Sequence, residues 1–382
     1  MAGKLSPTHE APYRGLRVLD LGQGIASPYC AMLLGVYGAD VIKVEPPGGE
    51  PGRQLRPFLG GEPGTERSGL FAALNLNKQS VVLDITSDDG RGKLLALART
   101  ADVIVESSPP GALPALGLTY DAFRAVKTEI VLASLTGFGQ TGPWRNYKLS
   151  DTVLYAMGGA MYAQGSAERE PLRQVPMVSL IQVGAMTAAA IQAAILWQRR
   201  TGEGQWLDLS MYEMQSASAA FRVQMYMVYQ FSKHIHPRRA SAADLPMGAG
   251  VFLCADGYIE VYTPPQRWDR LVALLGNPPE LLEERWQQPG ARQTEAYMDL
   301  FNVHWLPWLL ERTKYEAWDA LQGVGILSGP LNTVADLLED PVFEQREFWA
   351  GVEHEALGHL RLPGRPFRMS ATPWALRRSP PL

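Results

Sequence analysis

Short apolar runs alternate with longer segments of mixed polarity along the first half of the chain. Five runs have the length and β-branched content of buried strands, at residues 16–22, 39–45, 80–85, 102–106 and 130–135. Helices are predicted between them at 27–37, 88–99 and 119–127. This alternation predicts an α/β fold with an open, largely parallel sheet, and ligands are expected at the carboxyl ends of its strands.

The longest apolar run extends from Val175 to Gln198 and is rich in alanine. Its length matches a membrane span of roughly 20 residues. Gln182, Thr187 and Gln192 recur through it, and small residues allow close packing, so a buried helix is predicted instead. A Thr-Gly-Glu-Gly-Gln turn and a strand at 206–210 follow, and further helices are predicted at 151–163 and 212–231.

The pattern breaks at Ser232 and the composition changes from Gly248, which predicts a second domain. We expect a large domain that begins at 1–225, a linker at 226–245, a smaller α+β domain at 246–326 and a return to the large domain at 327–382. Asp256-Gly257 stands between two β-rich runs at 251–262 and predicts a hairpin. Amphipathic helices are predicted after it at 266–275, 293–311 and 314–322.

The composition is that of an ordinary soluble globular protein. The chain has 382 residues, 46% hydrophobic and 19% charged, with a formal net charge of -4. Because 35 Lys and Arg stand against 39 Asp and Glu, it lacks a basic footprint for nucleic acid. Cys30 and Cys254 are too few for a disulfide framework, and the amino terminus lacks an apolar signal core. We expect a cytoplasmic protein without a membrane partner.

Two local motifs point only weakly to bound groups. Gly22-Gln-Gly24 follows the first predicted strand, but it matches only the first two glycines of a dinucleotide fingerprint. His234 and His236 lie in a segment rich in Lys, Arg and Pro, with no third ligand nearby in sequence. We therefore expect neither a dinucleotide cofactor nor a metal.

A series of short motifs runs along nearly the whole chain. It includes Arg17-Val-Leu-Asp20, Gly38 to Glu45, Ala101 to Glu106, Ser134 to Pro143, Arg200 to Gln205 and Leu362 to Pro366. In this order the motifs resemble those of the class III CoA-transferase family, whose relatives include formyl-CoA and carnitine CoA-transferases and α-methylacyl-CoA racemases. The resemblance implies a Rossmann-like large domain, a smaller α+β domain and an interlocked dimer.

The resemblance also implies that coenzyme A is bound, as the substrate acyl-CoA. Carried over position by position, its contacts fall on Ile25, Ala26, Leu83, Asp84, Ile85, Thr86, Ser107, Ser108, Pro109, Lys148 and Ser150. A substrate pocket is implied at Asp151, Ser179, Gly248 and Gly250. Two positions that commonly carry an arginine near the CoA phosphates are Pro46 and Ala115 here.

The catalytic carboxylate of the family is missing from this chain. In the family's transferases an Asp attacks the acyl-CoA thioester and forms a mixed anhydride. The matching position is Ser179 when the segment is aligned on Pro176, and Leu180 when it is aligned on Gly184. A serine hydroxyl is a weak nucleophile without an adjacent base. We therefore expect no catalytic residue in this chain.

Three functions remain open at this point. The first is the non-nucleophilic subunit of a hetero-oligomeric CoA-transferase, whose homologous partner carries the catalytic Asp. The second is a homodimeric acyl-CoA-binding protein without transferase activity. The third is another acyl-CoA reaction, such as isomerisation, although the His of the racemase pair is Ser150 here and only Asp151 remains.

Overall fold

Six parallel strands form the main sheet, in a computed structural model that describes residues 11–217, 220–235, 238, 247–288 and 290–382. They are β1 (Arg17–Leu21), β2 (Asp40–Glu45), β3 (Lys78–Val82), β4 (Val103–Glu106), β5 (Val131–Thr136) and β6 (Trp206–Ser210). Their order is β3-β2-β1-β4-β5-β6, and each neighbouring pair is parallel. The predicted α/β class is confirmed. Because all six strands run the same way, their carboxyl ends lie at one edge.

Helices connect these strands and cover both faces of the sheet. They are α1 (Ala26–Val36), α2 (Gly69–Leu74), α3 (Asp88–Ala98), α4 (Ala112–Ala115), α5 (Tyr120–Val126), α6 (Asp151–Met157), α7 (Val178–Thr201), α8 (Met211–Ala217) and α9 (Ala220–Ser232). On one face, α1 and α7 bury a cluster that includes Val18 and Ile191. On the other, Leu94 of α3 and Phe123 of α5 pack against Leu19. Burial on both faces explains why β1, β2, β4 and β5 are mainly apolar.

α7, predicted as a buried helix, packs into the core along one face, while Leu196 and Trp197 on its surface are about half exposed. Among the described helices it alone has the length and mean hydropathy of a membrane span. Val183, Ile191 and other residues of one face are buried in the core of the large sheet. Gly184 allows α7 to approach α1, since a Cβ there would lie 2.5 Å from the carbonyl oxygen of Ala26. The helix ends at Gly202, which has a left-handed φ of 74°.

The chain divides into two compact units, of which the smaller comprises residues 164–171 and 237–343. Its antiparallel sheet consists of β7 (Gly250–Cys254), β8 (Gly257–Tyr262) and β9 (Leu327–Pro330). Ile259, Phe301, Trp305 and Leu321 lie in its core. Its helices are α10 (Trp268–Leu274), α11 (Glu295–Leu310), α12 (Lys314–Gly323) and α13 (Val334–Leu338), and α14 (Pro341–Gln345) leads out of the unit.

The structure moves two of the boundaries expected in this smaller unit. We expected the return to the large unit at residue 327, but β9 pairs with the free edge of β8 and the return falls at Glu344. The backbone groups of that edge need partners, and β9 supplies them. The predicted hairpin is present, but its two-residue turn is Ala255-Asp256, and Gly257 already pairs with Cys254.

One predicted helix is shorter in the structure. The helix expected at 151–163 ends at Met157, because Gly158-Gly159 follows and Gly159 has a positive φ. The range expected as a helix at 212–231 is helical in its described residues 212–217 and 220–231, which belong to α8 and α9. Residues 226–232 of the expected linker form the end of α9, and most of the rest of that linker, with His236, lies outside the described residues.

The last residues of the chain pack on the large unit. β10 (Trp349–His354) and β11 (Gly358–Pro363) form an antiparallel hairpin. The side-chain oxygen of Asn77 accepts hydrogen bonds from the backbone nitrogens of Arg377 at 2.6 Å and Arg378 at 2.9 Å. Its amide group donates to the carbonyl of Ala375 at 2.7 Å. One side chain next to β3 therefore fixes the carboxyl-terminal tail.

Candidate functional site

Three loops that carry predicted CoA contacts lie at the carboxyl edge of the main sheet. Ile25 and Ala26 open α1 after β1, residues 83–86 follow β3, and residues 107–109 follow β4. β1 and β4 are neighbours, and the backbone nitrogen of Gln23 donates to Ser107 Oγ at 3.0 Å. β3 is two strands from β1, which corresponds to about 10 Å. The structure therefore places these three predicted segments on one rim.

The turn after β3 is tightly built around Asp84. Its carboxylate accepts from the backbone nitrogen of Thr86 at 3.0 Å and from the Thr86 hydroxyl at 2.5 Å. These hydrogen bonds lower the pKa of Asp84, whose side chain is exposed and therefore negatively charged at neutral pH. Such a charge repels phosphate, so an anionic ligand would meet this turn through Thr86 or backbone groups.

The third part of the predicted site lies at the start of α6. Lys148 is exposed, and Ser150 caps α6 by accepting from the backbone nitrogen of Val153 at 3.3 Å. Asp151 instead reaches the amino end of α7. Its two carboxylate oxygens accept from the backbone nitrogens of Met177 at 3.0 Å and Leu180 at 3.2 Å. A negative charge is favourable there, because the amino end of a helix carries partial positive charge.

Met177 precedes α7 in a left-handed conformation, with a φ of 76°. A left-handed conformation costs a non-glycine residue about 1 kcal/mol or more, and such residues cluster at active sites and ligand-binding segments. The hydrogen bond from its N–H to Asp151 helps to stabilise the conformation. Asp151 therefore fixes the entrance to the helix that carries both positions aligned with the family nucleophile.

Ser179 and Leu180, the two positions aligned with the family nucleophile, lie in the first turn of α7. Ser179 is only 1% exposed. Leu180 packs against the apolar cluster beneath the sheet. The Ser179 hydroxyl is therefore enclosed, and the Leu180 side chain has no nucleophilic group. That neither residue attacks the substrate stays a prediction.

A cavity of about 270 Å³ opens beside the loop after β4. Ser108 and Pro109, two predicted CoA contacts, line it together with Glu106, Ser134, Trp206 and the apolar side chains of Leu113, Leu118 and Leu132. A volume of this size accommodates a small group or one portion of a larger ligand.

Glu106 is the buried acid of this cavity. Ser108 donates its backbone N–H to Glu106 Oε2 at 2.6 Å, and Trp206 donates its indole N–H to Ser134 Oγ at 3.0 Å. Burial raises the pKa of Glu106, against hydrogen bonds from Ser134 and Ser108. Glu106 was not among the residues predicted from the sequence, although an acid at the end of an apolar strand was a signal for it.

Charged side chains that the sequence analysis also missed are buried below the rim. Asp20 Oδ2 lies 2.7 Å from Lys78 Nζ and 3.7 Å from Lys43 Nζ, and all three side chains are fully buried. Burial alone would raise the pKa of Asp20, but Lys43 and Lys78 hold it below the ordinary value. A lysine and a glutamate within the apolar strand 40–45 were the available signal. Lys43 lies where the loops after β1 and β2 meet, since it contacts Gly22 in the first loop and Glu50 in the second.

Glu45, at the end of β2, stands where a dinucleotide-binding fold places the acid that binds a ribose. In this chain both carboxylate oxygens of Glu45 already have hydrogen-bond partners. Arg53 donates to both of its oxygens, at 2.7 and 2.8 Å, and Ser80 donates at 2.5 Å. Although burial raises the pKa of Glu45, these hydrogen bonds lower it to about 2. The acid therefore holds the long loop after β2 and is not available to a ribose.

The two glycines of the predicted substrate pocket belong to the smaller unit. The carbonyl of Gly248 accepts from the Thr263 hydroxyl at 2.9 Å, and Gly250 is the first residue of β7. Both have positive φ values. Among the residues that the structure describes, no group of three or more His, Cys, Asp or Glu side chains is arranged to hold a metal.

The sequence of this chain matches that of one protein family over nearly its whole length. Residues 13–382 match the model of CoA-transferase family III. The chain is 30% identical to succinate–glutarate CoA-transferase of Agrobacterium fabrum, over 98% of this chain and 94% of the relative. It is 29% identical to succinyl-CoA:(R)-benzylsuccinate CoA-transferase subunit BbsE of Thauera aromatica, over 96% of this chain and 90% of the relative.

Its fold is also similar to that of a solved structure. A CAIB/BAIF family protein from Brucella suis superposes with a TM-score of 0.85 and is 28% identical. The similarity covers 97% of this chain and 96% of that protein. The overall fold of this chain is thus shared with a protein of known crystal structure.

Proposed function

Because the chain belongs to CoA-transferase family III, we propose that it is the non-nucleophilic subunit of a hetero-oligomeric CoA-transferase. The complex transfers CoA between an acyl-CoA and a carboxylic acid. The catalytic Asp comes from a homologous partner subunit. The two chains pair in the interlocked manner of the family, in the cytoplasm.

The amino end of α7 is the observation that carries this proposal. Where a family transferase has its attacking Asp, this chain has the enclosed Ser179 and the apolar Leu180. Asp151 reaches the same helix end, but each of its oxygens accepts a backbone N–H. These two hydrogen bonds hold the Asp151 carboxylate at the helix end and lower its reactivity as a nucleophile.

The rest of the rim supports a role in binding acyl-CoA. The loops that carry Ile25, Thr86 and Ser107 share one edge of the sheet, as CoA contacts on separate strands require. Lys148 supplies a positive charge for a phosphate.

One relative supports the proposal that the enzyme consists of two different subunits. The benzylsuccinate CoA-transferase chain of Thauera aromatica is itself named as a subunit. Its similarity extends over 96% of the present chain, so the two are alike in architecture as well as in local motifs. We take a hetero-oligomer as the assembly in which the present chain acts.

Activity measurements on the single chain and on the complex test this proposal. The purified chain and an Asp-bearing family III protein from the same genome are assayed separately and together, with succinyl-CoA and glutarate or benzylsuccinate. We expect transfer only from the mixture, and loss of transfer when the Asp of the partner is replaced by Ala. Transfer by the single chain would contradict the proposal. Binding of succinyl-CoA without transfer in any mixture would favour the acyl-CoA-binding homodimer.

A further inference from the structure

Three consecutive backbone nitrogens in the loop after β1 are each bound by a side chain. Gly22 N donates to Asp20 Oδ1 at 2.9 Å, and Gln23 N donates to Ser107 Oγ at 3.0 Å. Gly24 N donates to Glu50 Oε2 at 2.9 Å. The three acceptors come from β1, from the loop after β4 and from the long loop after β2.

In α/β sheets with this strand order, the corresponding loop commonly presents its backbone N–H groups to the diphosphate of a dinucleotide. In this chain the two carboxylates of Asp20 and Glu50 stand in the place of such an anion. The amides of Gly22 and Gly24 are occupied before any ligand arrives. A diphosphate would also be repelled by the two carboxylates.

Glu50 is itself rigidly held. Its side chain is 1% exposed, and Oε2 also accepts from the backbone nitrogen of Gly52 at 2.9 Å. Its own backbone nitrogen donates to Glu45 Oε2 at 3.1 Å. A Cβ on Gly52 would lie 2.3 Å from Glu50 Oε1, so the glycine makes room for the carboxylate.

Lys43 completes the arrangement from below. Its Nζ lies 3.6 Å from Glu50 Oε1 and donates to the carbonyl of Gly22 at 2.9 Å. The loop is therefore bound through an N–H of Gly24 by the acid and through a carbonyl of Gly22 by the base. A buried carboxylate needs such a counter-charge to remain ionised.

We propose that Glu50 is a positioning residue, an internal anion that fixes the loop Gly22–Ala26 for the acyl-CoA and excludes the CoA diphosphate from it. The ligand half of this inference rests on the proposed function, since Ile25 and Ala26 are the predicted contacts. The loop half rests only on the contacts of Glu50.

Hydrogen exchange tests whether Glu50 fixes the loop, and ligand binding tests whether the fixed loop contributes to acyl-CoA affinity. Glu50→Ala removes the acceptor, Glu50→Gln keeps an acceptor oxygen but not the charge, and Glu62→Gln is the control, an exposed acid of the same long loop. In the ligand-free full chain, we expect exchange in the peptide covering residues 22–26 to be about tenfold faster in Glu50→Ala, less so in Glu50→Gln, and unchanged in the control. Added acetate should restore protection in Glu50→Ala by occupying the vacated site.

Calorimetry with succinyl-CoA then measures the ligand half. We expect Glu50→Ala to weaken binding about tenfold and Glu62→Gln to leave it unchanged. Unchanged exchange at residues 22–26 in Glu50→Ala would overturn the positioning role. Faster exchange with unchanged affinity would overturn the coupling of this loop to the ligand. If the unmodified chain binds no succinyl-CoA while exchange responds as expected, the proposed function fails and the loop half stands.

Discussion

Asp151 Oδ1 accepts a hydrogen bond from the backbone nitrogen of Leu180 at 3.2 Å, across 29 residues of sequence. Its other oxygen accepts from Met177. One carboxylate therefore holds the amino end of α7, the point where the family's transferases have their attacking Asp. Asp151 is present in this chain and has a structural role, and it lies next to the position where the family's attacking Asp is missing.

Replacement of Asp151 should loosen the start of α7. Asp151→Ala leaves two backbone N–H groups without their acceptor, and we expect the free energy of unfolding to fall by about 1–3 kcal/mol. Asp319→Ala is the matched control, because Asp319 is an exposed acid on α12. Urea denaturation measures both variants. An equal effect of the two substitutions would show that Asp151 does not hold α7.

A carboxylate introduced at Ser179 should be poorly tolerated by the single chain. Ser179→Asp would place a charge at a position that is 1% exposed, and we expect a loss of roughly 3 kcal/mol in stability. Ser179→Ala changes little volume and should cost under about 1 kcal/mol. Thermal unfolding compares the two. A stable Ser179→Asp chain that transfers CoA by itself would show that this position is open to substrate.

Glu106 should destabilise the folded chain at neutral pH. Burial raises its pKa, so the folded state holds the proton more tightly than the unfolded state. The stability it contributes is complete below the unfolded pKa near 4.5 and is lost as pH rises through the folded value. We expect Glu106→Gln to be relatively more stable at pH 8 than at pH 5, when each is compared with the unmodified chain. A pH-independent difference would contradict this.

Glu45 should contribute in the opposite sense. Its pKa is lowered from 4.5 to about 2 in the folded state, so its contribution is complete above pH 4.5 and is lost as pH falls towards 2. The full effect is about 3 kcal/mol. We expect the unfolding free energy of Glu45→Gln to fall less steeply with pH between 5 and 3 than that of the unmodified chain. Denaturant titrations at several pH values test this, with Glu62→Gln as the control.

Much of the main sheet could be predicted from local pattern. The runs at 16–22, 39–45, 102–106 and 130–135 correspond to β1, β2, β4 and β5 within two residues at each end. A strand buried on both faces is mainly apolar, and this property is visible in a few consecutive residues. The small sheet was less predictable, because β9 joins β8 from more than 60 residues away in sequence and its short run carries no mark of its partner.

The sequence alone determined the apolar strands of the sheet, the likeness to class III CoA-transferases and the absence of an acid between Pro171 and Gly202. Each of these is a property of residue types in a local order. Only the tertiary structure decided that Asp151 holds the start of α7 and that Glu50 occupies the loop after β1. Both contacts join residues more than 20 positions apart in sequence. The sequence identifies an Asp or a Glu, but it does not show whether the carboxylate binds a substrate or a backbone N–H.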